Sequence, residues 1–264
     1  MARRWRIIVD HPCCGFYNMA KDEVLSKFYE GANVPTLRIY RWQRPFVSLG
    51  YSQNAAAVID IESCDNLGVG VVRRITGGFV FFHNDELTYS LICHKDDLNL
   101  PRGVKDSYKT LNQFLLNFYY RFNLKASFAC DIVRTQDRPP GGNFCLSSYE
   151  PFDILIDGKK IGGNAQRRSR EIIFQHGSIP RSFDCKMIAA LIKKQDALCR
   201  NGFTSLDLIT GERTDFSKLR DIFLECFSEK FNVSYSYGYL NNRESNHLTQ
   251  LIKTKYLSSE WNLK

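Results

Sequence analysis

No apolar run in the chain approaches the ~20 residues that a helix needs to cross a bilayer. The longest, such as Phe114–Tyr120, are short and broken by Asn or Arg, which excludes a spanning helix. The opening MARRWRIIVDHP is basic but lacks an apolar h-region and a small-residue cleavage site, so neither export nor a membrane partner is expected. There is no Cys-x-x-Cys pair, and only five histidines accompany nine cysteines. Those cysteines (Cys13, Cys14, Cys64, Cys93, Cys130, Cys145, Cys185, Cys199 and Cys226) form an odd set without regular spacing. Neither a disulfide framework nor a zinc site is expected, and a reducing cytoplasm fits best. No repeat of 20 to 50 residues and no low-complexity segment is present, which excludes solenoids, propellers and collagen-like or mucin-like chains. A long basic arm and an aromatic RNA-binding signature are also missing, so no nucleic-acid partner is expected.

What is present is an ordinary globular composition. The 264 residues are 44% hydrophobic, 24% charged and 13% aromatic, far from the low-hydrophobicity, high-charge range in which chains stay disordered. A chain of this length can close around a single large core, and one domain over residues 1–264 is expected. The balance of 36 Lys+Arg against 28 Asp+Glu gives a net +8, which attracts an acidic partner at moderate salt without identifying it.

Periodicity gives an α/β chain of the α+β kind, with mixed, mainly antiparallel sheets covered by helices. Strands are predicted over Trp5–Asp10, Thr36–Trp42 and Phe46–Gly50, and helices over Asn18–Tyr29 and Ile59–Leu67. Val69–Arg74, Gly78–His83 and Leu87–Cys93 read as a β-meander, and Gly103–Phe122 as a long helix with Leu111, Leu115, Phe118 and Phe122 facing a sheet. Residues Val133–Asn143 (VRTQDRPPGGN) have the composition of an exposed loop. Beyond it, Asp153–Ile156, the turn Asp157-Gly158, Lys159–Gln166 and Ile172–Ile179 read as a second antiparallel sheet. The portion from about 181 to 264 is predicted to be helical.

Three segments carry chemistry. In Arg73-Arg74-Ile75-Thr76-Gly77-Gly78-Phe79-Val80-Phe81-Phe82-His83, the glycines let backbone approach a ligand and the arginines can fork onto an anion. A plain hairpin explains the Gly-Gly pair equally well. Period-two alternation puts Phe79, Phe81 and His83 on one face, where they can wall an apolar slot. In Gly158-Lys159-Lys160-Ile161-Gly162-Gly163-Asn164-Ala165-Gln166, Lys160 opposes Ile161, and the two glycines leave room for its ammonium to reach a ligand oxygen; Lys159 reads as a solvated hairpin lysine. In Gln175-His176-Gly177-Ser178-Ile179, His176 reads as a hydrogen-bonded core histidine inside an apolar strand.

Taken in order, these segments resemble the biotin/lipoate ligase and octanoyltransferase superfamily. Asn18-Met19-Ala20 with Asp22-Glu23, Thr36-Leu37-Arg38-Ile39-Tyr40, Ser48-Leu49-Gly50-Tyr51-Ser52-Gln53 and the closing Lys255-Tyr256…Glu260-Trp261-Asn262 extend the likeness over nearly the whole chain. The Gly-Arg-Gly-Arg loop of biotin ligases is absent, which favours lipoylation chemistry. Glu86-Leu87-Thr88-Tyr89-Ser90, the His176 segment, and Cys145 eight residues before Asp153 are similar to the cysteine-dependent octanoyltransferases.

That resemblance implies Cys145 as nucleophile and Lys160 as the group beside the acyl carbonyl. It implies a binding site from Arg73, Arg74, Thr76, Gly77, Gly78, Phe79, Phe81, His83, Gly162, Gly163, Asn164, Ala165 and His176. The donor would be octanoyl-acyl carrier protein, and the acceptor a lipoyl-domain lysine, on the glycine-cleavage H protein or a dehydrogenase E2. No cofactor or metal is implied on this route. Two other readings stay open: a lipoate ligase using ATP and Mg with lipoate, and a non-catalytic protein that binds the acyl carrier or the lipoyl domain.

Overall fold

The computed structural model describes residues 4–32, 34–133, 150–193 and 202–264. In chain order the elements are β1 (Arg4–Val9), α1 (Gly15–Ala32), β2 (Thr36–Tyr40), β3 (Phe46–Leu49), α2 (Ala55–Val58), α3 (Ile61–Asn66), β4 (Gly70–Arg73), β5 (Phe81–His83) and β6 (Glu86–His94). There follow α4 (Val104–Tyr120), β7 (Ala126–Phe128), α5 (Ala129–Ile132), β8 (Ile154–Ile156), β9 (Lys159–Ile161), β10 (Gly163–Ser169) and β11 (Ile172–Pro180). The last part holds α6 (Cys185–Leu191), β12 (Phe203–Thr204), α7 (Leu206–Thr210), α8 (Phe216–Phe231), β13 (Ser234–Tyr237), α9 (Asn242–Leu251) and α10 (Ser259–Asn262). None of the described helices is long and apolar enough to cross a membrane.

The strands form a six-stranded sheet in the order β10-β11-β6-β2-β1-β13, a four-stranded sheet β12-β9-β8-β7 and a three-stranded sheet β4-β3-β5. The long helix forms as its periodicity predicts: α4 buries Leu111, Leu115 and Phe118. With Phe223 and Phe227 of α8 they pack on Leu87, Tyr89, Leu91 and Cys93 of β6 in one large apolar cluster. Asp157 and Gly158 take φ angles of 50° and 74°, the left-handed pair that a tight two-residue hairpin between β8 and β9 requires.

Three expectations about strand partnership are corrected. The predicted meander does not exist, because β4 and β5 both pair with β3, whereas β6 pairs with β2 and β11 in the large sheet. Lys159–Gln166 is not one strand: the chain leaves the four-stranded sheet at Ile161 and joins the six-stranded sheet at Gly163. Gly162 makes this crossing possible with a φ of 74°, and a Cβ there would lie 2.0 Å from the carbonyl oxygen of Ser178. The C-terminal portion is not purely helical, since β13 runs parallel to β1 as the sixth strand of the large sheet and β12 pairs with β9.

Candidate active site

Between the large sheet and the three-stranded sheet lies a cleft with about 450 Å³ of empty volume, part of it open to solvent. Its floor follows one row of register partners across four strands: Gly163 on β10 opposite Ser178 on β11, then Thr88 on β6, then Tyr40 on β2. His176 and Ala165 form the neighbouring row, two residues along and therefore on the same face. Ser48, Phe81 and His83 from the three-stranded sheet cover it, together with Gly78 and Phe79, and Met19 of α1 lies against Tyr40 at the inner end. Because β10 is the terminal strand, the slot runs inward from the sheet edge at Gly163 and Asn164. With adjacent strands about 4.8 Å apart, that path is roughly 14 Å long.

Arg74, Gly78, Phe79, Phe81, His83, Gly163, Asn164, Ala165 and His176 all line this slot. Gly78 has a φ of 93°, which L side chains rarely adopt, and its carbonyl oxygen sits where a Cβ on Gly50 would fall, 1.9 Å away. The Arg74 guanidinium holds the turn over the slot by donating to the carbonyl oxygens of Gly77 (2.9 Å), Phe79 (2.7 Å) and Ser48 (2.8 Å). Asn164 fastens the edge strand, its Oδ1 accepting from the Tyr89 hydroxyl at 2.7 Å.

The polar groups on the walls are held by one another. Ser48 Oγ lies 2.7 Å from His83 Nε2, and His83 Nδ1 lies 2.7 Å from Glu86 Oε1. The His83 ring stacks on Trp42 at a centroid distance of 4.0 Å. Thr76 Oγ1 lies 2.7 Å from His176 Nε2, and Asp22 stands behind the same ring, 3.8 Å from Nδ1. Burial pushes the His176 pKa down, and it stays below the usual histidine range although Asp22 pulls it the other way. The Asp22 carboxyl is held below its usual range: burial raises it, but Arg38 at 2.6 Å and hydrogen bonds from His176 and Ser90 outweigh burial. The slot therefore presents a neutral imidazole above a buried Asp22–Arg38 pair.

Five of the expected residues lie off the lining. Arg73 is fully buried, and its guanidinium donates to the carbonyl oxygens of Gly50, Tyr51, Gln53, Trp261, Asn262 and Lys264. It clamps the C-terminal segment and presents no fork to an anion in the slot. Thr76 acts through His176, and Gly77 is exposed, with nothing close enough to exclude a side chain. Gly162 is the sheet crossing rather than open space, since Ser178 fills the volume beside it.

Lys160 is buried, with Nζ 2.6 Å from Asp153 Oδ2, while Lys159 beside it is exposed. Asp153 Oδ2 also accepts from the Glu150 amide. Cys145, together with most of the predicted loop, lies outside the described residues. Met19, Tyr40, Ser48, Thr88, Gly177 and Ser178 line the slot without having been singled out as binding residues. The signal for them was available, since all six fall in segments that carry the family resemblance or flank a residue chosen from one.

The model of the lipoyl protein ligase A/B catalytic domain matches residues 14–228. The chain is 32% identical to the octanoyltransferase LipM of Anoxybacillus flavithermus, over 98% of each chain. It is 31% identical to the octanoyltransferase LipM of Brevibacillus brevis, over 99% of each. Among solved structures it superposes on a lipoate-protein ligase A bound with ATP (TM-score 0.82, 22% identity, 98% of each chain). It also superposes on a bi-partite lipoate protein ligase from Thermoplasma acidophilum (TM-score 0.81, 21% identity, 99% of this chain and 96% of the other). At those identities the structures establish the fold, and the end-to-end relatives establish the branch. An apolar slot beneath an Arg-Arg-x-Thr-Gly-Gly turn is thus set in a chain that belongs to the lipoyl protein ligase A/B catalytic domain family, among its octanoyltransferases.

Proposed function

We propose that the chain takes an octanoyl group from acyl carrier protein onto Cys145 and passes it to the lysine of a lipoyl domain, as on the glycine-cleavage H protein or a dehydrogenase E2. The observation that carries this reading is the slot itself, apolar along Phe79 and Phe81, open at a sheet edge and walled by polar groups bonded to one another. Such a slot suits an unbranched acyl chain whose only polar end stays at the mouth. Lys160 lies off the lining, paired with Asp153, on the strand that precedes the slot's edge and three residues before Gly163.

In the first half-reaction the Cys145 thiolate attacks the thioester carbonyl, the C–S bond to the carrier breaks, and the carrier thiol leaves with a proton. In the second the acceptor amine attacks the Cys145 thioester, an amide forms, and the cysteine thiol is released. The Lys160 charge stabilises the oxyanion of both tetrahedral intermediates. Neither step consumes a nucleotide, and the free thiols scattered through the fold suit a cytoplasmic setting.

Incubation with octanoyl-acyl carrier protein and no nucleotide, followed by intact-mass measurement, tests the proposal. A hydroxylamine-labile octanoyl adduct that Cys145→Ala lacks is expected. Release of pyrophosphate from ATP with lipoate, and no adduct, would identify a ligase instead. Binding of either carrier with neither reaction would identify a non-catalytic protein.

A further inference from the structure

Among the described residues, each hydroxyl and imidazole that lines the slot has a hydrogen-bond partner except one. The Tyr40 hydroxyl donates to Asp22, Ser48 pairs with His83, and His176 pairs with Thr76. Thr88 Oγ1 accepts from Trp42 Nε1 at 2.9 Å and donates to Glu86. Ser178 Oγ is buried and has no partner. The residue is 5% exposed, lines the slot and alternates with His176 on the face of β11 that forms the floor. Its register partner is Gly163, at the sheet edge where the slot opens. Its own carbonyl oxygen packs against Gly162, 2.0 Å from where a Cβ there would lie.

A buried hydroxyl without a partner destabilises a fold, and replacing it by an apolar group of similar shape is neutral or favourable. Its persistence at the mouth of a slot in which every neighbour is satisfied points to a bond made only when the slot is filled. From this we infer that Ser178 Oγ donates to the carbonyl oxygen of the bound acyl group, as a neutral oxyanion donor that complements the Lys160 charge. The inference rests on the octanoyl-transfer reading above. When the Cys145 sulfur attacks, the carbonyl π pair moves onto oxygen, and the Ser178 O–H shortens its hydrogen bond to that oxygen without giving up its proton. When the C–S bond to the carrier breaks and the carrier thiol leaves with its proton, the pair returns, and the same donor serves the second intermediate during attack by the acceptor amine.

Ser178→Ala is expected to lower the single-turnover rate of Cys145 octanoylation roughly 10²-fold. The melting temperature should stay unchanged or rise, an opposition that a merely structural serine would not give. Ser178→Thr keeps the hydroxyl and should recover most of the rate. If Ser178→Ala octanoylates at the wild-type rate, or melts lower and loses rate only in proportion, the inference is overturned while the transferase reading stands. If Ser178→Thr is as slow as Ser178→Ala, the hydroxyl is not the active element and the inference also fails. Absence of any octanoyl adduct on the wild-type protein would instead remove the reading on which it depends.

Discussion

The two faces of the six-stranded sheet are made from alternating residues of the same strands, yet they have little in common. One face carries Leu87, Tyr89, Leu91, Cys93, Ile173 and Ile179, all buried against α4 and α8 in the main apolar cluster. The other carries the polar Thr88, Ser90, Arg38, His176 and Ser178 around the slot, equally buried, with the apolar Ile8, Ile92 and Phe174 beside them in a separate, smaller cluster. Strand alternation alone would send the second face to solvent. It is buried because α1 and the three-stranded sheet cover it, and the polar groups compensate one another: Arg38 bonds Asp10 and Asp22, and Ser90 donates to Asp22 at 2.7 Å. The first face supplies stability through area removed from water. The second supplies fixed dipoles around a slot, where each misplaced group carries a desolvation cost.

The sharpest way to break this division is to damage the first face alone. Leu91→Ala removes a fully buried side chain from the main cluster and should cost about 2–5 kcal/mol of unfolding free energy. Octanoyl transfer per folded molecule should stay unchanged. A fall in kcat/KM matching the loss of stability would show that the two faces are not separable.

Next in size, and on the catalytic side, Lys160→Met should lower kcat roughly 10²- to 10³-fold, while exposed Lys159→Met should change little. The Lys160–Asp153 pair is buried, so the single substitution also strands a carboxylate. Rates are therefore best compared with the Lys160→Met/Asp153→Asn double variant, whose stability should lie nearer the wild type. Equal rates for the Lys159 and Lys160 variants would remove the strand-face argument that separates them.

A smaller effect distinguishes the slot's wall from the core behind it. Phe81 belongs to both, since it lines the slot and packs in the cluster beside β3. Burial contributes about 0.8 kcal/mol per CH₂, so the advantage of octanoyl over butyryl is at most about 3 kcal/mol, roughly a hundredfold in kcat/KM. Phe81→Ala should shrink that ratio if the ring touches the distal carbons. An unchanged ratio with a lowered melting temperature would assign Phe81 to the core only.

Much of this division was legible in the sequence, and the losses have physical causes. The Asp157-Gly158 turn, the α4 stripe and the apolar wall of Phe79, Phe81 and His83 depend on local spacing, which a single segment shows. Sheet membership does not. His83 and Glu86 are three residues apart but belong to different sheets, because a strand's partner is chosen by long-range packing. The alternating Val233-Ser234-Tyr235-Ser236-Tyr237 is a strand signal hidden among helices, since its partner β1 lies at the other end of the chain. Arg73 and Arg74 look interchangeable in sequence, yet one clamps the C-terminal segment and the other the glycine turn, a distinction set by which way each points from the end of β4.

The smallest expected effect concerns proton uptake by the polar face. His176 is buried and its folded pKa is depressed, with burial the main cause and Arg74 and His83 adding to it, while Asp22 opposes. The unfolded chain binds a proton at this histidine near its ordinary pKa of about 6.5, before the folded chain does. Stability from a neutral His176 is therefore fully present above about pH 6.5 and is lost as pH falls from there toward the depressed folded value. Asp22, also held low, begins to lose its contribution only at more acidic pH, once the unfolded carboxyl starts to protonate. His176→Gln removes the titration and keeps a hydrogen-bonding side chain toward Thr76. Unfolding free energy measured at pH 8, 7, 6 and 5 should decline less steeply for the variant than for the wild type over the lower half of that range. The comparison is a difference of slopes, so the other four histidines drop out. Parallel slopes would mean that His176 titrates alike in both states and that the polar face is not sealed from water as its burial indicates.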